Sequence, residues 1–367
     1  MTEPDGIELI YPPPRSELDG IAAYTRGLLA ACEQRHGSPV RLVEWRRRGL
    51  PCESEVVVIQ YNPFSYGRWG FAPALLRDVR RLRRRRPDCR VALMVHEPYV
   101  LFESPRTVPM SLWQRFQLRA LLRQCEIVLL STSAWRRYLP HGTRATSLAV
   151  GSNLPDRRSE RDAARLEIGC AEDAIVLATF GTDHPSRLLG HVEAAANAVA
   201  ATCGQATLLH LGSEAPALGG LSPAVTLRRP GNQTPVELAR ELSAADIFLA
   251  PFTDGVTTRR TSLVAALQHG LAIVGTEGSL TEAKFWPSEI ALAPVAEVAA
   301  FVAAAVALAG DAEARRSAKL AARALYELNF AWPVLAEHLF AALDVANDAA
   351  GALRDSKSPV AAAAGGG

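Results

Sequence analysis

The stretch "AIVLATFGTDHPSRLLGHVEAAANAVAATCGQATLLHLG", residues 174–212, decides the fold. An apolar run, "AIVLATFG", ends in a polar loop. A helical pattern, "RLLGHVEAAANAVAATC", follows, and a second apolar run, "ATLLHLG", closes the unit. Strands that are apolar along their whole length are covered on both faces, and the helix between them makes them parallel. The same rhythm continues downstream through "VTLRRPG", "IFLAPF", "LAIVGT" and "IALAP". It also precedes the stretch, in "IELIYP", "VRLVEW", "EVVVIQY", "RVALMVHE", "IVLLST" and "TSLAVG". The chain therefore predicts an α/β protein with two doubly wound halves. We place the first at residues 1–151, a polar linker at 152–172 and the second half at 173–330. A terminal helix over 331–350 is expected to pack back on the first half, and a disordered tail is expected at 355–367.

Composition agrees with this reading. Of the 367 residues 49% are hydrophobic and 21% charged, enough to build large cores. The net charge of +2 gives no global field for nucleic acid. Six isolated cysteines without a Cys-x-x-Cys pair fit reduced thiols in the cytoplasm. The start, "MTEPDG", is not a secretory signal. The most apolar stretch, "FVAAAVALAG", is about half the ~20 residues that cross a bilayer. His96, His184, His210 and His269 lie in separate segments, so no metal spacing is present. The absence of Gly-x-Gly-x-x-Gly and of a Walker loop counts against dehydrogenases and ATPases. The basic run "RDVRRLRRRRP", Arg77 to Pro87, reads as a solvated helix end with cations at its C-terminus. Contact with anionic lipid or an anionic acceptor through Arg77–Arg86 is the alternative.

In open α/β sheets ligands bind beyond the C-terminal ends of strands. The chemistry-bearing residues cluster there. "TDGVTTRRTSLVAALQHG", residues 253–270, sets Arg259 and Arg260 at a helix start, where the backbone N–H groups already carry positive partial charge. An anion between the guanidiniums and the amides explains that placement; solvated side chains, or pairing with Asp254 and Glu277, are the alternative.

Taken together these segments resemble a GT-B glycosyltransferase, most like the large family 4 group. The resemblance is carried by "DGIAAYTRGLL", "FGTDHPSRLLGHVEA", "LRRPGNQTPVELARELSAADIFLAPFTDG" and "LVAALQHGLAIVGTEGSLTE", and is strongest over residues 174–282. It implies two Rossmann-like domains facing across a cleft. A nucleotide diphosphate sugar, UDP- or GDP-linked, would bind mainly to the second and a small polar acceptor, a hydroxyl or an amine, mainly to the first. It implies retention of anomeric configuration, with no cofactor beyond the co-substrate and no metal. Arg187 stands where the family has a phosphate-binding lysine, so Arg187, Arg259, Arg260 and Thr261 form the expected diphosphate site.

The remaining candidates each carry two readings. Asp254 and Gly255 would meet the donor sugar, or form an Asp-Gly turn. Glu282 would meet the same sugar, close a capping box with Ser279, or lie at the surface. Pro230, Gly231 and Asn232 would meet the nucleobase, or make an ordinary turn. His96 and Glu97 end a strand where a base could take the acceptor's proton, or they fix their own loop. Asp19 is a base, an acceptor contact or a helix cap. Gly20 allows a ligand close to the backbone, or a tight turn. One departure matters: the family's second donor-loop glutamate, which resembling enzymes use on the ribose, is Ala265 here. That departure keeps a catalytically silent GT-B partner open as an alternative, beside a sugar-nucleotide epimerase on the same fold.

Overall fold

A computed structural model describes residues 6–13, 19–36, 39–46, 49–50, 53–100, 107–171, 174–182, 184–212, 218–285 and 290–355. The expected tail lies outside them apart from Asp355. All twelve apolar runs are strands. The first sheet holds β1 (Ile7–Tyr11), β2 (Val40–Glu44), β3 (Val56–Tyr61), β4 (Arg90–Val95), β5 (Ile127–Leu130) and the two-residue β6 (Thr146–Ser147), in the order β2-β1-β3-β4-β5-β6. The second holds β7 (Val176–Phe180), β8 (Ala206–Leu211), β9 (Val225–Arg228), β10 (Ile247–Ala250), β11 (Ala272–Glu277) and β12 (Ala291–Pro294), in the order β12-β11-β10-β7-β8-β9. Every pair within them is parallel.

Helices cover both sheets. They are α1 (Gly20–His36), the single turn α2 (Pro63–Tyr66), α3 (Pro73–Arg85), α4 (Val108–Leu122), α5 (Arg161–Glu167), α6 (Leu189–Cys203), α7 (Pro235–Ser243), α8 (Thr261–Gln268), α9 (Val298–Gly310), α10 (Ala312–Asn329) and α11 (Trp332–Asp355). Strand order reverses at β1/β3 and at β7/β10, which opens a crevice above each sheet. Among the described residues no helix is long and apolar enough to cross a membrane.

Two fastenings position the halves. The linker is pinned behind the second sheet by Asp246, which accepts from Arg161 (2.7 Å), Arg165 (3.1 Å), Lys319 (2.9 Å) and the Val176 amide (3.0 Å). Burial pushes this carboxyl's pKa up, but Lys319 and Arg161 outweigh it and hold it below its usual range. At the other end of the chain, α11 lies against α1. The Trp332 ring fills a notch walled by Gly27 and Gly151, and its indole N–H donates to the Ser152 carbonyl at 3.1 Å. A Cβ at Gly151 would stand 2.7 Å from that ring, so both walls need glycine.

His210 on β8 is buried, and neither ring nitrogen finds a partner among the described residues. Burial, then Arg187 and Arg229, depress its pKa to about 4. The unfolded chain, with a histidine pKa near 6.5, binds more protons in that interval. Stability is therefore lost as pH falls from about 6.5 towards 4. His210→Leu should raise stability by about 1 kcal/mol at neutral pH, since an orphaned polar group is removed. The gain should grow at pH 5. Urea melts at both pH values check this; a gain that does not grow at pH 5 refutes the titration argument.

Candidate active site

The crevices of the two sheets face each other and hold three cavities that share walls. The first, about 250 Å³, lies above the second sheet. Its walls include Phe180, Gly181 and Thr182 after β7, Gly212 after β8, Gly231 and Gln233 after β9, and Thr261 and Ser262 at the start of α8. Gly20 closes it from the first half. The second, about 280 Å³, keeps Gly20 and Thr261 and adds Asp19, Asn62, His96, Glu97 and Arg259. The third, about 600 Å³, keeps Glu97 and Arg259 and opens between Phe64, Tyr99, Trp135, Tyr138 and Asp254. The three cavities thus adjoin one another in a row from the loops after β8 and β9 to the outer mouth.

Arg259 lines the second and third cavities; Arg260, beside it, lines none of the three. Arg260 is the N-cap residue of α8, and no side chain caps the helix's first turn. Both guanidiniums bind Asp254: Arg259 at 2.5 Å, and Arg260 on the other carboxylate oxygen. Arg259 also lies 3.5 Å from Glu97 and stacks over Trp135, while Arg260 donates to the Ser186 hydroxyl and stacks over Phe252. The ion-pair reading holds in part. Asp254 is the partner and Glu277 is not; the Nε atoms of both arginines remain buried without an acceptor among the described residues. Burial raises the pKa of Asp254, but Arg260 and Arg259 outweigh it and keep the group ionised. Burial, and then Arg259, lower the pKa of Arg260.

Arg187 curls onto the loop after β7, donating to the Gly181 carbonyl (2.8 Å) and the Thr179 hydroxyl (2.7 Å). It supports the wall of the first cavity from behind. Asp19 caps α1, its Oδ1 accepting from the Ile21 and Ala22 amides at 3.0 Å. Gly20 has nothing within 4 Å of where a Cβ would stand, so open space, not packing, surrounds it.

His96 is buried at the end of β4. Its Nε2 lies 2.7 Å from Gln60 Oε1, which as a carbonyl oxygen accepts, so the proton is on Nε2. Burial depresses its pKa to about 4, so the ring is neutral at pH 7. Glu97 lies beside Asn62, at 3.5 Å, and faces the second and third cavities. Gly231, at φ 78°, lines the first cavity; its neighbours Pro230 and Asn232 are exposed.

Two further candidates are held by the protein itself. Glu282 lines none of the three cavities and makes no capping box with Ser279. It is buried, with Oε1 accepting from the Ser133 amide (2.9 Å) and hydroxyl (2.8 Å) and Oε2 from the Thr258 amide (2.7 Å). It ties the loop after β5 to the loop before α8, across the two halves. Thr258 adds a hydroxyl bond to the Ser131 carbonyl (2.7 Å), and its own carbonyl accepts from the Val150 amide. Gly255, at φ 83°, is packed against Gly278 and Thr281, where a Cβ would collide. Its glycine is required by loop-on-loop contact. Ala265 is buried inside α8, so no side chain there reaches a ribose.

Sequence reasoning missed the aromatic wall of Phe64, Tyr99, Trp135 and Tyr138. Trp135 is fixed by its indole N–H donating to the His96 carbonyl at 2.8 Å. Its signal was the strand-ending "STSAW", where Thr132 caps a short 3₁₀ turn over Ser133–Tyr138.

No protein-family model matches this chain, and no curated protein matches it in sequence. Solved structures match it in shape. A sucrose-phosphate synthase from Thermosynechococcus elongatus is 14% identical, with a TM-score of 0.62 over 96% of this chain and 100% of the other. The Anabaena protein HepE, in complex with UDP and glucose, is 13% identical, with a TM-score of 0.61 over 92% and 99%. WaaG, a glycosyltransferase involved in lipopolysaccharide biosynthesis, is 15% identical, with a TM-score of 0.55 over 91% and 98%. With its two parallel six-stranded sheets, opposed crevices and end-to-end similarity to these proteins, the chain has the GT-B fold.

Proposed function

We propose that the protein is a glycosyltransferase that moves a sugar from a nucleotide diphosphate sugar to a hydroxyl or amine of a small acceptor. The observation that supports this best is the row of three adjoining cavities, with the uncapped start of α8 and Arg259 at its middle and Arg260 beside it. The first cavity suits a nucleoside, between the loops after β7, β8 and β9. The diphosphate would lie at Thr261, Arg259 and Arg260, and the donor sugar beside His96. The aromatic third cavity would take the acceptor.

The leaving diphosphate gains negative charge as the glycosidic bond breaks. Fixed N–H groups and guanidiniums aimed at it stabilise the transition state more than the ground state. Arg259 and Arg260 would exchange Asp254 for phosphate oxygens, or use their unpartnered Nε donors. On this reading Asp254 is a counter-ion and Glu97 the nearest carboxylate to an acceptor hydroxyl. Neutral His96, its Nε2 proton held by Gln60, orients a substrate group and is not the base. Retention of configuration and operation without a metal, with the arginines and helix amides supporting the leaving group, are part of the same proposal. UDP complexes of HepE favour UDP over GDP as the first donor to test.

The test is a thermal-shift panel of UDP, GDP, ADP and dTDP. A ligand at one hundred times its dissociation constant adds about 2.7 kcal/mol, so one nucleotide should raise the melting temperature clearly. If none does, the binding reading fails, and a silent partner protein becomes the better account. Turnover of the donor without any acceptor would instead favour an epimerase.

A further inference from the structure

The first half carries a surface that the three cavities do not use. Trp69, Phe71, Leu112 and Phe116 are 61%, 59%, 46% and 68% exposed, in a fold whose other large apolar side chains are mostly buried. They form one patch. The Trp113 indole N–H and the Gln114 amide both donate to the Trp69 carbonyl, and Phe71 meets Trp113 edge to face at 6.4 Å. The patch is built, not frayed: Trp69 holds a left-handed backbone (φ 54°), which side-chain-bearing residues rarely adopt, and those two bonds fix it. The conformation leaves the indole outward with Arg68 stacked on it at 4.5 Å.

The surroundings of the patch are cationic. Helices α3 and α4 pack together. Arg77, Arg80, Arg81 and Arg84 project from the outer face of α3, and Arg119 and Arg123 continue the stripe of Leu112 and Phe116 on α4. Between Pro63 and Arg86 the sole acidic residue is Asp78, which is buried, accepts from the Trp45 indole and pairs with Arg77 at 3.2 Å, so Arg80, Arg81 and Arg84 carry the charge of that face; between Thr107 and Arg123 there is none. Exposed tryptophan and phenylalanine beside arginines match the boundary between lipid headgroups and acyl chains; among the described residues, Glu126, which pairs with Arg83 and lies beside Arg119 and Arg123, borders the arginines at the far end of α4. Two copies of this face would set arginines against arginines. Leu112 and Val108 offer aliphatic surface that an acyl chain uses and a nucleobase stack does not.

We infer that this face docks the protein on an anionic bilayer, with the four apolar side chains at the headgroup boundary and the arginines on lipid phosphates. Arg115 of α4 lies over Tyr99, a wall of the third cavity, at 4.3 Å. Docking therefore brings the outer mouth of that cavity towards the lipid. This inference does not depend on the glycosyl-transfer reading.

Flotation of the full chain with phosphatidylcholine vesicles, alone or mixed with phosphatidylglycerol, tests it. Binding is expected to the mixed vesicles and to fall with salt. Phe71→Ser/Phe116→Ser should weaken it about tenfold or more. Arg80→Gln/Arg81→Gln/Arg84→Gln should weaken it by on the order of a hundredfold and flatten the salt dependence. These side chains are exposed, so thermal melts by circular dichroism should be unchanged. In the wild type, indole fluorescence should shift to the blue on mixed vesicles, less so in Trp69→Phe. The inference is overturned if the chain stays with the unbound fraction at low salt, or if neither variant set changes binding. It is equally overturned if the substitutions abolish self-association or binding to a single-stranded oligonucleotide while vesicles are ignored.

Discussion

Arg259→Ala/Arg260→Ala is expected to lower turnover of the nucleotide-sugar donor by about 10²–10³-fold, the usual effect of removing donors that meet a developing anion. These two side chains bring the charged donors nearest the start of α8, and the helix supplies only about half a unit of positive charge by itself. Turnover number and kcat/KM should fall together, because the interaction strengthens as the leaving group ionises. Lysine at both positions restores charge but not the planar fork, so it should recover only part of the loss. The apoprotein gives a second readout. Asp254→Asn leaves two half-buried guanidiniums facing each other, and the destabilisation should shrink when a nucleoside diphosphate is added. Steady-state kinetics with the nucleotide that wins the thermal panel, and melts with and without it, decide the matter. A double variant with wild-type turnover would remove these residues from the chemistry.

Glu282→Ala is expected to cost about 3 kcal/mol, since it strands the amides of Ser133 and Thr258 in a buried site. Glutamine is not a remedy: one of its two polar atoms is a donor, facing an amide that also donates. Burial raises the Glu282 pKa, but its bonds to Thr258 and Ser133 outweigh this and leave it below the usual range. The sign follows. The carboxylate's contribution is complete above the unfolded pKa of about 4.3 and is lost as pH falls through the lower folded value. The variant should therefore show a flatter loss of stability below pH 4.3 than the parent. Because Glu282 joins loops of the two halves, part of the cost should appear as separation of the halves. Denaturant melts across pH and the radius of gyration by small-angle scattering measure both. Unchanged melting and an unchanged radius would show that the tie carries no load.

The strands were legible because each is a short apolar run bounded by a polar loop; β6 shrank most, to Thr146–Ser147. The crevice position of His96, Gly20, Gly231, Thr261 and Arg259 followed from the rule that loops after parallel strands carry ligands. Asp254 as the arginines' partner was visible too, since five or six residues separate them. Glu282 was not. Its donor Ser133 lies 149 positions away in the other half, and no local period announces such a pair. The same holds for Trp135 over Arg259, and for Trp332 in its glycine notch. Sequence periodicity reports which face of an element is buried; it does not say which loop of a second sheet will meet it.

The glycine-walled notch has a consequence for how the polypeptide comes into being. The first lobe is synthesised before the second, yet its surface is finished by an indole that emerges only after the second lobe. Until then Gly27 and Gly151 frame an unfilled slot and one side of α1 stays bare. The nascent protein therefore carries its earliest-made lobe incomplete while the whole second lobe is being added, and the final helix acts as the stitch that closes the garment.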